Sequence, residues 1–428
     1  MNRRLLIGVG TFAIAAMMAS GCSSTNSTAA HEPSGGPTTT AATSVPAAPA
    51  AANGVEATIN DVPWSNVGPG WTLATWSPVV AHRPGEEPAP GEPDPETAAT
   101  TLYLVDPAGN RYAITTFSGA SARLDLADWS GDGSKALFTS SEYPKPSKVI
   151  SVDLHTGEQT TIPADGYPKY TRPDGKALLV STHFMGNEPG TLTRIDLAGN
   201  VQQSYPTEEL GGAGQFSGRY LASPDGTQLV LATANLGNEL VPRSDNSLVV
   251  VGNDGEIIRT LPTPMPNADC TPVRWWAPTV LVASCSSEHG SGSQLWTVSI
   301  DSGASTSLTA LNSGQGDDPG FGNDLGAGIA WELPSGTFLQ SAGACGTAFL
   351  SRLTLDGHTR RVDVPGMSES VFVIGAAGDT LVLQGHTDCG GGTALVSYDP
   401  AANTSTVLLG PTVNGGGVTE ALLFPESQ

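Results

Sequence analysis

The sequence predicts an all-β fold, a seven-bladed β-propeller, on three observations. Gly and Pro together supply 85 residues (52 plus 33), and only 14% of the residues are charged, a composition typical of many short strands joined by turns. A strand–turn–strand pattern recurs along the chain. One copy of a second pattern is divided between the two ends of the chain, which indicates that the ends meet in one blade.

The first repeated unit is a strand, a turn that contains Asp, and a second strand. Its copies follow one another at steps of 43 to 58 residues, a spacing typical of four-stranded propeller blades. Asp is favoured in these turns because its side chain bonds the nearby backbone and tolerates positive φ. The turn aspartates are Asp106, Asp153, Asp196, Asp254, Asp301, Asp356 and Asp399.

The second repeated unit, a turn followed by an apolar strand, supports the same count of blades. Clear copies surround Asp132, Asp174 and Asp225. In the divided copy, residues 71–77 (WTLATWS) match only the strand after the turn, and residues 418–427 match only the strand before it. We therefore expect 418–427 to be the innermost strand of blade one. The alternatives are a ring of six or eight blades, a pair of β-sandwiches or a β-solenoid.

The turns W-S-x-D-G around Asp132 and S-P-D-G around Asp225 resemble the repeats of TolB-like periplasmic propellers over roughly residues 71–428. The resemblance implies a propeller in the cell envelope with a protein partner. This chain differs from TolB, which has an extra N-terminal domain where this chain has only the expected tether. TolB's own partners are therefore not carried over. Similar repeats precede peptidase domains in some oligopeptidases, but no G-x-S-x-G nucleophile motif occurs here.

The N-terminal residues read as a lipoprotein signal peptide. Arg3 and Arg4 precede an apolar stretch of 15 residues, which is too short to span a membrane comfortably. The run Ala-Ser-Gly-Cys that ends at Cys22 resembles a bacterial lipobox, so we expect residues 1–21 to be removed and Cys22 to carry lipid; ordinary signal cleavage is the alternative. Residues 22–55, rich in Ser, Thr, Ala and Pro, are expected to form a disordered tether before a propeller at 56–428.

The charge balance excludes some classes of function. A formal net charge of −22 argues against nucleic-acid binding, which needs clustered Lys and Arg. It also argues against electrostatic attachment to anionic lipid, so the expected membrane contact is the lipid anchor alone. The scarcity of Lys beside Arg suits a GC-rich, for example actinobacterial, genome. We expect a monomer without a metal or other cofactor.

Four cysteines remain after Cys22, an even number that suits disulfides in an oxidising compartment. Cys270 and Cys285 lie symmetrically about a short link between two strands, so they would face each other across an antiparallel pair. Cys345 and Cys389 follow the second strands of blades six and seven and are expected to join these blades. A metal or redox site is the alternative, although no C-x-x-C spacing occurs.

Binding residues are expected on the face that carries the long loops, because loops on a rigid scaffold usually carry function. Three histidines at matching loop positions in blades three, five and seven would form a metal or polar-ligand site only if all three leaned over the channel; otherwise they are solvated loop residues. The tryptophans Trp129, Trp275, Trp276 and Trp331 are expected to pack between blades rather than to form a stacking platform. The candidate binding residues are Glu142, Tyr143, His183, Glu288, His289, His386 and Asp388.

The leading hypothesis for function is a non-enzymatic protein-binding or scaffold module at the cell envelope, because no catalytic residues are recognisable. The rival is an envelope hydrolase or lyase that acts on cell-wall carbohydrate with acidic and His residues of the loop face. A third possibility is a purely structural spacer, in which case exchanging the loops would cause no phenotype.

Two disulfides predict a simple mass change. The intact protein should gain four hydrogens on full reduction, two for each bridge, as measured by mass spectrometry of the oxidised and reduced protein. A gain of two, or alkylation of Cys345 or Cys389 without reduction, would contradict the second bridge.

Overall fold

The computed structural model describes residues 54–80, 82, 86–118, 124–140, 146, 148–185, 188–234, 246–266, 268–287, 292–312, 329–342, 347–387, 392–412 and 415–425. Within them, the chain forms seven sheets, antiparallel except for one edge strand, that follow one another as the blades of a β-propeller, which confirms the predicted fold class and blade count. No helix in these segments is long and apolar enough to cross a membrane.

Each blade is a meander in which neighbouring strands are consecutive in sequence, except in blade one. Blade one contains β1 (Glu56–Thr58), β2 (Thr72–Ser77), β3 (Thr100–Val105), β4 (Arg111–Phe117) and the C-terminal β29 (Gly417–Leu423). Blades two and three comprise β5 (Asp125–Trp129), β6 (Lys135–Thr139), β7 (Val149–Asp153), β8 (Gln159–Thr161), β9 (Tyr167–Tyr170), β10 (Ala177–Ser181), β11 (Leu192–Asp196) and β12 (Val201–Ser204).

The remaining four blades repeat this arrangement. Blades four and five comprise β13 (Gln215–Ala222), β14 (Gln228–Ala234), β15 (Leu248–Gly252), β16 (Ile257–Leu261), β17 (Ala268–Ala277), β18 (Val280–Ser287), β19 (Ser293–Ser299) and β20 (Ser305–Ser307). Blades six and seven comprise β21 (Ala330–Leu333), β22 (Gly336–Ala342), β23 (Ala348–Leu353), β24 (Thr359–Arg361), β25 (Ser368–Ala377), β26 (Thr380–His386), β27 (Thr393–Asp399) and β28 (Thr404–Leu409).

The two ends of the chain meet in blade one, as the divided repeat predicts. β29 pairs antiparallel with β2 in a register that places Leu73 opposite Leu422. β29 is therefore the innermost strand of this blade, in the position that β5 and β9 occupy in their blades. One strand was not predicted: β1 adds to the outer edge of blade one, parallel to β4.

Three side chains hold β1 on the edge of blade one. The Tyr103 hydroxyl donates to the carboxylate of Glu56 at 3.1 Å, and the Arg111 guanidinium lies 3.4 Å from the same carboxylate. Burial of the phenol, with the nearby Glu56 charge, raises the pKa of Tyr103 above its usual range. A three-residue strand is too short to be stable by backbone pairing alone, so these contacts fix its position.

The aspartate turns have the structure expected from their sequence. Ser130 donates to Asp132 at 2.6 Å, and Asp132 in turn accepts the backbone N–H of Ser134. Ser223 and Asp225 repeat this arrangement in blade four. These bonds hold the pKa of both carboxyls below its ordinary value, although burial works against them. We call the side of the propeller that carries these turns the turn face, and the opposite side the loop face.

Cys270 and Cys285 lie opposite each other on β17 and β18 and form the expected disulfide in blade five. Both residues are buried, so the bridge lies inside the blade rather than at its rim. The predicted bridge between Cys345 and Cys389 lies outside the described residues.

Close contact between turns of neighbouring blades predicts a large effect for one glycine. Gly226 has a φ of +72°, and a Cβ added there would lie 1.9 Å from the carbonyl oxygen of Arg172 in blade three. Gly226→Ala is therefore expected to lower the free energy of unfolding by about 3 kcal/mol, from left-handed strain together with overpacking. Urea denaturation followed by fluorescence measures this change.

Gly212→Ala is the matched control. Gly212 also has a left-handed φ, +85°, but an added Cβ would meet nothing within 4 Å. This variant should lose only about 1 kcal/mol, from backbone strain alone. Equal losses in the two variants would show that the blades do not pack through this turn.

Candidate functional site

Two of the seven predicted binding residues, His183 and His386, lie among the described residues. They occupy different seams: His183 lies between blades three and four, whereas His386 ends the second strand of blade seven. The other five residues lie outside the described residues, so the predicted loop-face site stays a prediction. These residues are Glu142, Tyr143, Glu288, His289 and Asp388.

His183 follows β10 on the loop face, where it is exposed to solvent on one side. Its ring contacts that of Tyr167, with centroids 5.0 Å apart. It also lies against blade four, because a Cβ on Gly218 would be 3.0 Å from its Nδ1. Partial desolvation, and then the charge of Arg219, lower the pKa of His183 from its ordinary value, so the imidazole is neutral at pH 7.

His386 is only 9% exposed and lines a loop-face pocket of about 400 Å³ at the seam of blades seven and one. Phe372, which is 45% exposed, forms part of its wall. Gln384 crosses this seam and donates to the backbone carbonyls of Val418 and Thr419 at 3.2 and 3.0 Å. Gln384 thus joins blade seven to the C-terminal strand.

A second pocket, of about 330 Å³, lies where the inner strands reach the turn face. Residues from blade one and from blades three to seven line it, so it is the turn-face mouth of the central channel. Its larger side chains are those of Arg172, Arg274, Trp275 and Trp331, and the rest are Leu, Ala, Pro, Val and Gly. None of these lining side chains can act as a general acid, a general base or a nucleophile.

Backbone and side-chain contacts hold both arginines of this mouth in place. Arg172 forms a 2.8 Å ion pair with Asp128 and donates to the carbonyl of Trp129. Arg274 donates to the carbonyl of Ala330 at 3.1 Å, and its guanidinium lies 5.7 Å from the ring centroid of Trp331. The mouth is therefore a preorganised surface of aromatic rings and guanidinium groups.

The predicted role of the tryptophans is confirmed, with one addition. Trp129, Trp275 and Trp331 are 1%, 5% and 6% exposed and pack between blades, and the partly buried Trp276 packs against the cluster between blades five and six. The indole N–H of Trp275 donates to the carbonyl of Ala222 across the seam with blade four. Trp275 and Trp331 also reach the channel mouth, which packing between blades did not by itself predict.

Two larger grooves also open on the surface. One, of about 760 Å³, lies between blades three and four and includes turn residues such as Asp174 and Asp225. The other, of about 1140 Å³, lies beside β24 and includes Arg352, Arg360 and Arg361. The first groove shares Arg172 and Ala222 with the channel mouth, and the carboxylates and arginines of the two grooves largely serve the local turns or stack on blade six.

Two carboxyl groups meet between the inner strands of blades one and two. Glu420 of β29 accepts a hydrogen bond from the backbone N–H of Leu126. When it is protonated, its carboxyl group also forms a hydrogen bond with that of Asp125. Burial, and then the neighbouring Asp125, raise the pKa of Glu420 to about 7, against the opposing effect of the Leu126 N–H. At neutral pH Glu420 is therefore protonated in an appreciable fraction of the molecules.

The described residues contain no group of three or more His, Cys, Asp or Glu side chains that could hold a metal ion. The histidine convergence considered from the sequence also requires His289, which lies outside these residues. Among the described residues that line them, neither the loop-face pocket nor the channel mouth presents the oxygen- or nitrogen-rich set that a resident metal needs.

Sequence reasoning missed the charged residues of the inner strands. Arg172 precedes the Pro-Asp-Gly turn of blade three, whereas its partner Asp128 lies in β5 of blade two. Glu420 and Asp125 lie far apart in the sequence, in the last strand and in β5, so no local pattern joins them. One usable signal existed for three of them: Asp125, Asp128 and Glu420 lie in strands whose other residues are mostly apolar, which marks positions with a polar partner.

The comparisons with known proteins show the fold. No family model and no curated protein matches the chain. Among solved structures, a prolyl endopeptidase matches this chain with a TM-score of 0.50 and 14% identity. The match covers 85% of this chain and 53% of that one. This likeness supports the propeller architecture alone.

Other similar structures differ in function. TolB from Acinetobacter baumannii is 21% identical over 56% of this chain and 63% of its own, with a TM-score of 0.35. An oligogalacturonate lyase in complex with manganese is 15% identical over 79% of this chain and 85% of its own, with a TM-score of 0.42. The chain spans about half the length of the prolyl endopeptidase and less than two thirds of that TolB.

The Glu420–Asp125 pair predicts an unusual pH dependence of stability. The pKa of Glu420 is higher in the folded protein (about 7) than in the unfolded chain (4.5), so the folded state binds the proton more tightly. The stability that this proton contributes is complete below about pH 4.5 and is lost as pH rises to about 7, by at most about 3 kcal/mol. Urea titrations from pH 4.5 to 8 measure this loss.

Glu420→Gln tests the origin of this change. A neutral amide can donate to Asp125 and accept from Leu126 N–H, as protonated Glu420 does, but it does not ionise. The variant should match the wild type at pH 5 and exceed its stability at pH 8. If wild type and variant lose stability in parallel over this range, the pair does not cause the change.

Proposed function

We propose that the protein is a non-enzymatic binding module, held at the outer face of the cytoplasmic membrane by lipid on Cys22, that binds an envelope protein through the turn-face mouth of its channel. The composition of that mouth is the observation that carries the proposal. It joins two guanidinium groups and two indole rings with small apolar residues, and it includes no catalytic side chain. This composition suits recognition better than chemistry.

The mouth has the features of an interface that binds without rearrangement. Trp and Arg are the residues that most often dominate the energy of protein interfaces. Here the ion pair with Asp128 and the stacking on Trp331 fix both arginines before any partner arrives. Preorganisation of this kind lowers the entropy lost on binding, because the side chains have little freedom to lose.

Attachment to the membrane rests on the N-terminal sequence. The lipobox-like run before Cys22 and the preceding apolar stretch support lipidation, and the acidic propeller has no need of a basic membrane-binding patch. A long Ser/Thr/Ala/Pro-rich tether would let the propeller reach partners in the envelope. The other functions of the similar solved structures, peptidase and lyase activity, belong to those proteins.

One observation favours the rival enzymatic function. Asp125 and Glu420 form a carboxyl pair on inner strands, and a raised pKa of this kind also occurs in general acids. Their seam position gives the pair a structural role as well, because Glu420 accepts the backbone N–H of the neighbouring blade. If the pair is catalytic, Glu420→Gln should abolish turnover of cell-wall oligosaccharides and leave partner binding intact.

Site-specific photocrosslinking in intact cells tests the binding proposal. A photoreactive residue placed at Pro224 or at Pro425, both at the channel mouth, should yield the same discrete adduct with an envelope protein. Both positions line one small pocket, so a partner that covers the mouth contacts both. Gel shift and mass spectrometry of the adduct measure the outcome.

The matched control places the same photoreactive residue at Arg259, an exposed position on the outermost strand of blade four. It should give no adduct. A probe at Phe372 reports on the loop face. An adduct from Phe372 alone, or none from either mouth position, would contradict binding at the turn-face mouth.

A further inference from the structure

Two arginine side chains face each other on the outer part of blade six. Arg352 of β23 lies directly opposite Arg360 of β24 in the antiparallel pairing of these strands. Directly opposed residues of such a pair project from the same face of the sheet, with their Cβ atoms about 5 Å apart. Both residues are exposed to solvent. The register of the strands therefore places two cations side by side.

The two arginines lie on the face of blade six that is turned towards blade seven. Phe338 of β22 is opposite Arg352 on this face, and its ring belongs to the apolar cluster between the two blades. Gln340, two residues further along β22, donates to the carbonyl of Val371 in blade seven at 3.2 Å. The arginine pair therefore lines the outer end of the seam between blades six and seven, beside the groove of about 1140 Å³ described above.

The Arg352 guanidinium is held in position before any ligand binds. It lies 5.9 Å from the ring centroid of Phe338 and donates to the carbonyl of Ser335, in the turn between β21 and β22. A Cβ added to Gly336 of the same turn would lie 2.9 Å from Nε of Arg352. These contacts restrict the guanidinium but leave the residue exposed, so its remaining N–H donors are available to a ligand.

No carboxylate in the described part of the chain neutralises this pair. Neither Arg352 nor Arg360 forms an ion pair there. Aspartates of this part of blades six and seven have other partners: Asp356 and Asp399 accept hydrogen bonds within their own turns, and Asp363 lies 3.9 Å from the next arginine of β24. Like charges directly opposite each other on a sheet repel, and an anion between them removes that repulsion.

The pairing of two cations is specific to blade six. Where an arginine lies on the third or fourth strand of blades three and four, it faces a neutral residue: Arg194 faces Gln203, and Arg259 faces Val250. Only 19 of the 428 residues are Lys or Arg, against 41 Asp or Glu. Two arginines that face each other are therefore not a by-product of a basic surface.

The groove beside the pair can hold more than a single ion. Its lining includes the apolar residues Leu353, Leu355 and Val362, and Leu355 is fully exposed. A free phosphate would leave most of this volume empty, and an acidic sugar has no apolar side chain to place against the leucines. Charge complementarity with the arginines and apolar contact with the leucines together favour a peptide that carries both acidic and apolar residues.

We propose that Arg352 and Arg360 form a binding site for an acidic peptide segment, with one carboxylate between the two guanidinium groups. A guanidinium can donate two parallel hydrogen bonds to a carboxylate, which fixes the orientation of the acidic side chain. Leu353 and Leu355 then contact the apolar residues that flank it. The groove shares no lining residue with the channel mouth, so the site stands independently of the proposed partner binding there.

Calorimetric titration of the full-length protein tests the site with three probes: the capped peptide Ala-Glu-Leu-Glu-Ala, its counterpart with Gln in place of Glu, and inorganic phosphate. The acidic peptide should bind with one-to-one stoichiometry, and more tightly than either of the other two probes. Arg360→Gln should weaken its binding about tenfold, because it removes one charge-assisted contact. Phosphate or the Gln peptide binding as tightly as the acidic peptide, or no binding of the acidic peptide at millimolar concentration, would overturn the site.

Arg259→Gln is the matched control for binding. It removes an exposed arginine from the outermost strand of a different blade, where the residue opposite is Val250, and should leave binding unchanged. Equal weakening by Arg259→Gln and Arg360→Gln would indicate general electrostatic attraction and overturn the site.

Thermal unfolding of the ligand-free protein tests the repulsion on which the site depends. Arg360→Gln should raise the midpoint by about 1 °C at low salt, because Arg352 then has no cation opposite it, whereas Arg259→Gln should not. At about 1 M salt the rise should disappear, because exposed charges are screened. A midpoint that is unchanged or lower in Arg360→Gln at low salt would contradict the proposed arrangement of the two guanidinium groups.

Discussion

Burial of apolar side chains between neighbouring blades is the interaction on which the rest of the structure depends. Seven hydrophobic clusters occur among the described residues, one at each seam from blades one and two round to blades seven and one. Single strands serve two seams at once: Leu102 and Leu104 of β3 face blade two, whereas Tyr103 faces blade seven. Each blade therefore has two buried faces, and no blade can lose a neighbour without exposing apolar surface.

This constraint explains why the chain ends must meet. Val418 and Ala421 of the C-terminal strand contribute to the cluster between blades seven and one. Without β29, this seam would lose part of its apolar surface, and β2 would present an open edge to the channel. Polar contacts reinforce the same seam: Gln384 reaches the C-terminal strand, and the indole N–H of Trp76 donates to the carbonyl of Gly410. Two ends with little sequence in common are thus joined by one blade.

Much of the fold could be predicted because the propeller repeats a local pattern. The turn aspartates, such as Asp106 and Asp399, all lie at or just after the end of the third strand of their blades, where they bond the backbone of the following turn. β1 could not be predicted, because a three-residue parallel strand held by Glu56 and Arg111 has no periodic signal. The channel mouth could not be predicted from the sequence for a different reason. Its residues come from six blades, and their convergence depends on the geometry of the ring rather than on spacing along the chain.

The ring geometry also separates charges around the channel. Acidic groups, Asp125 and Glu420, meet where blades one and two adjoin, and burial raises the pKa of Glu420. Cationic groups, among them Lys169 and Arg219, lie on the inner strands of blades three and four. A narrow space with low-dielectric walls focuses the field of such groups, so its lining can attract anions even though the surface as a whole is acidic. The positions of the charges along the inner strands, rather than the net charge of the protein, therefore set the local potential inside the channel.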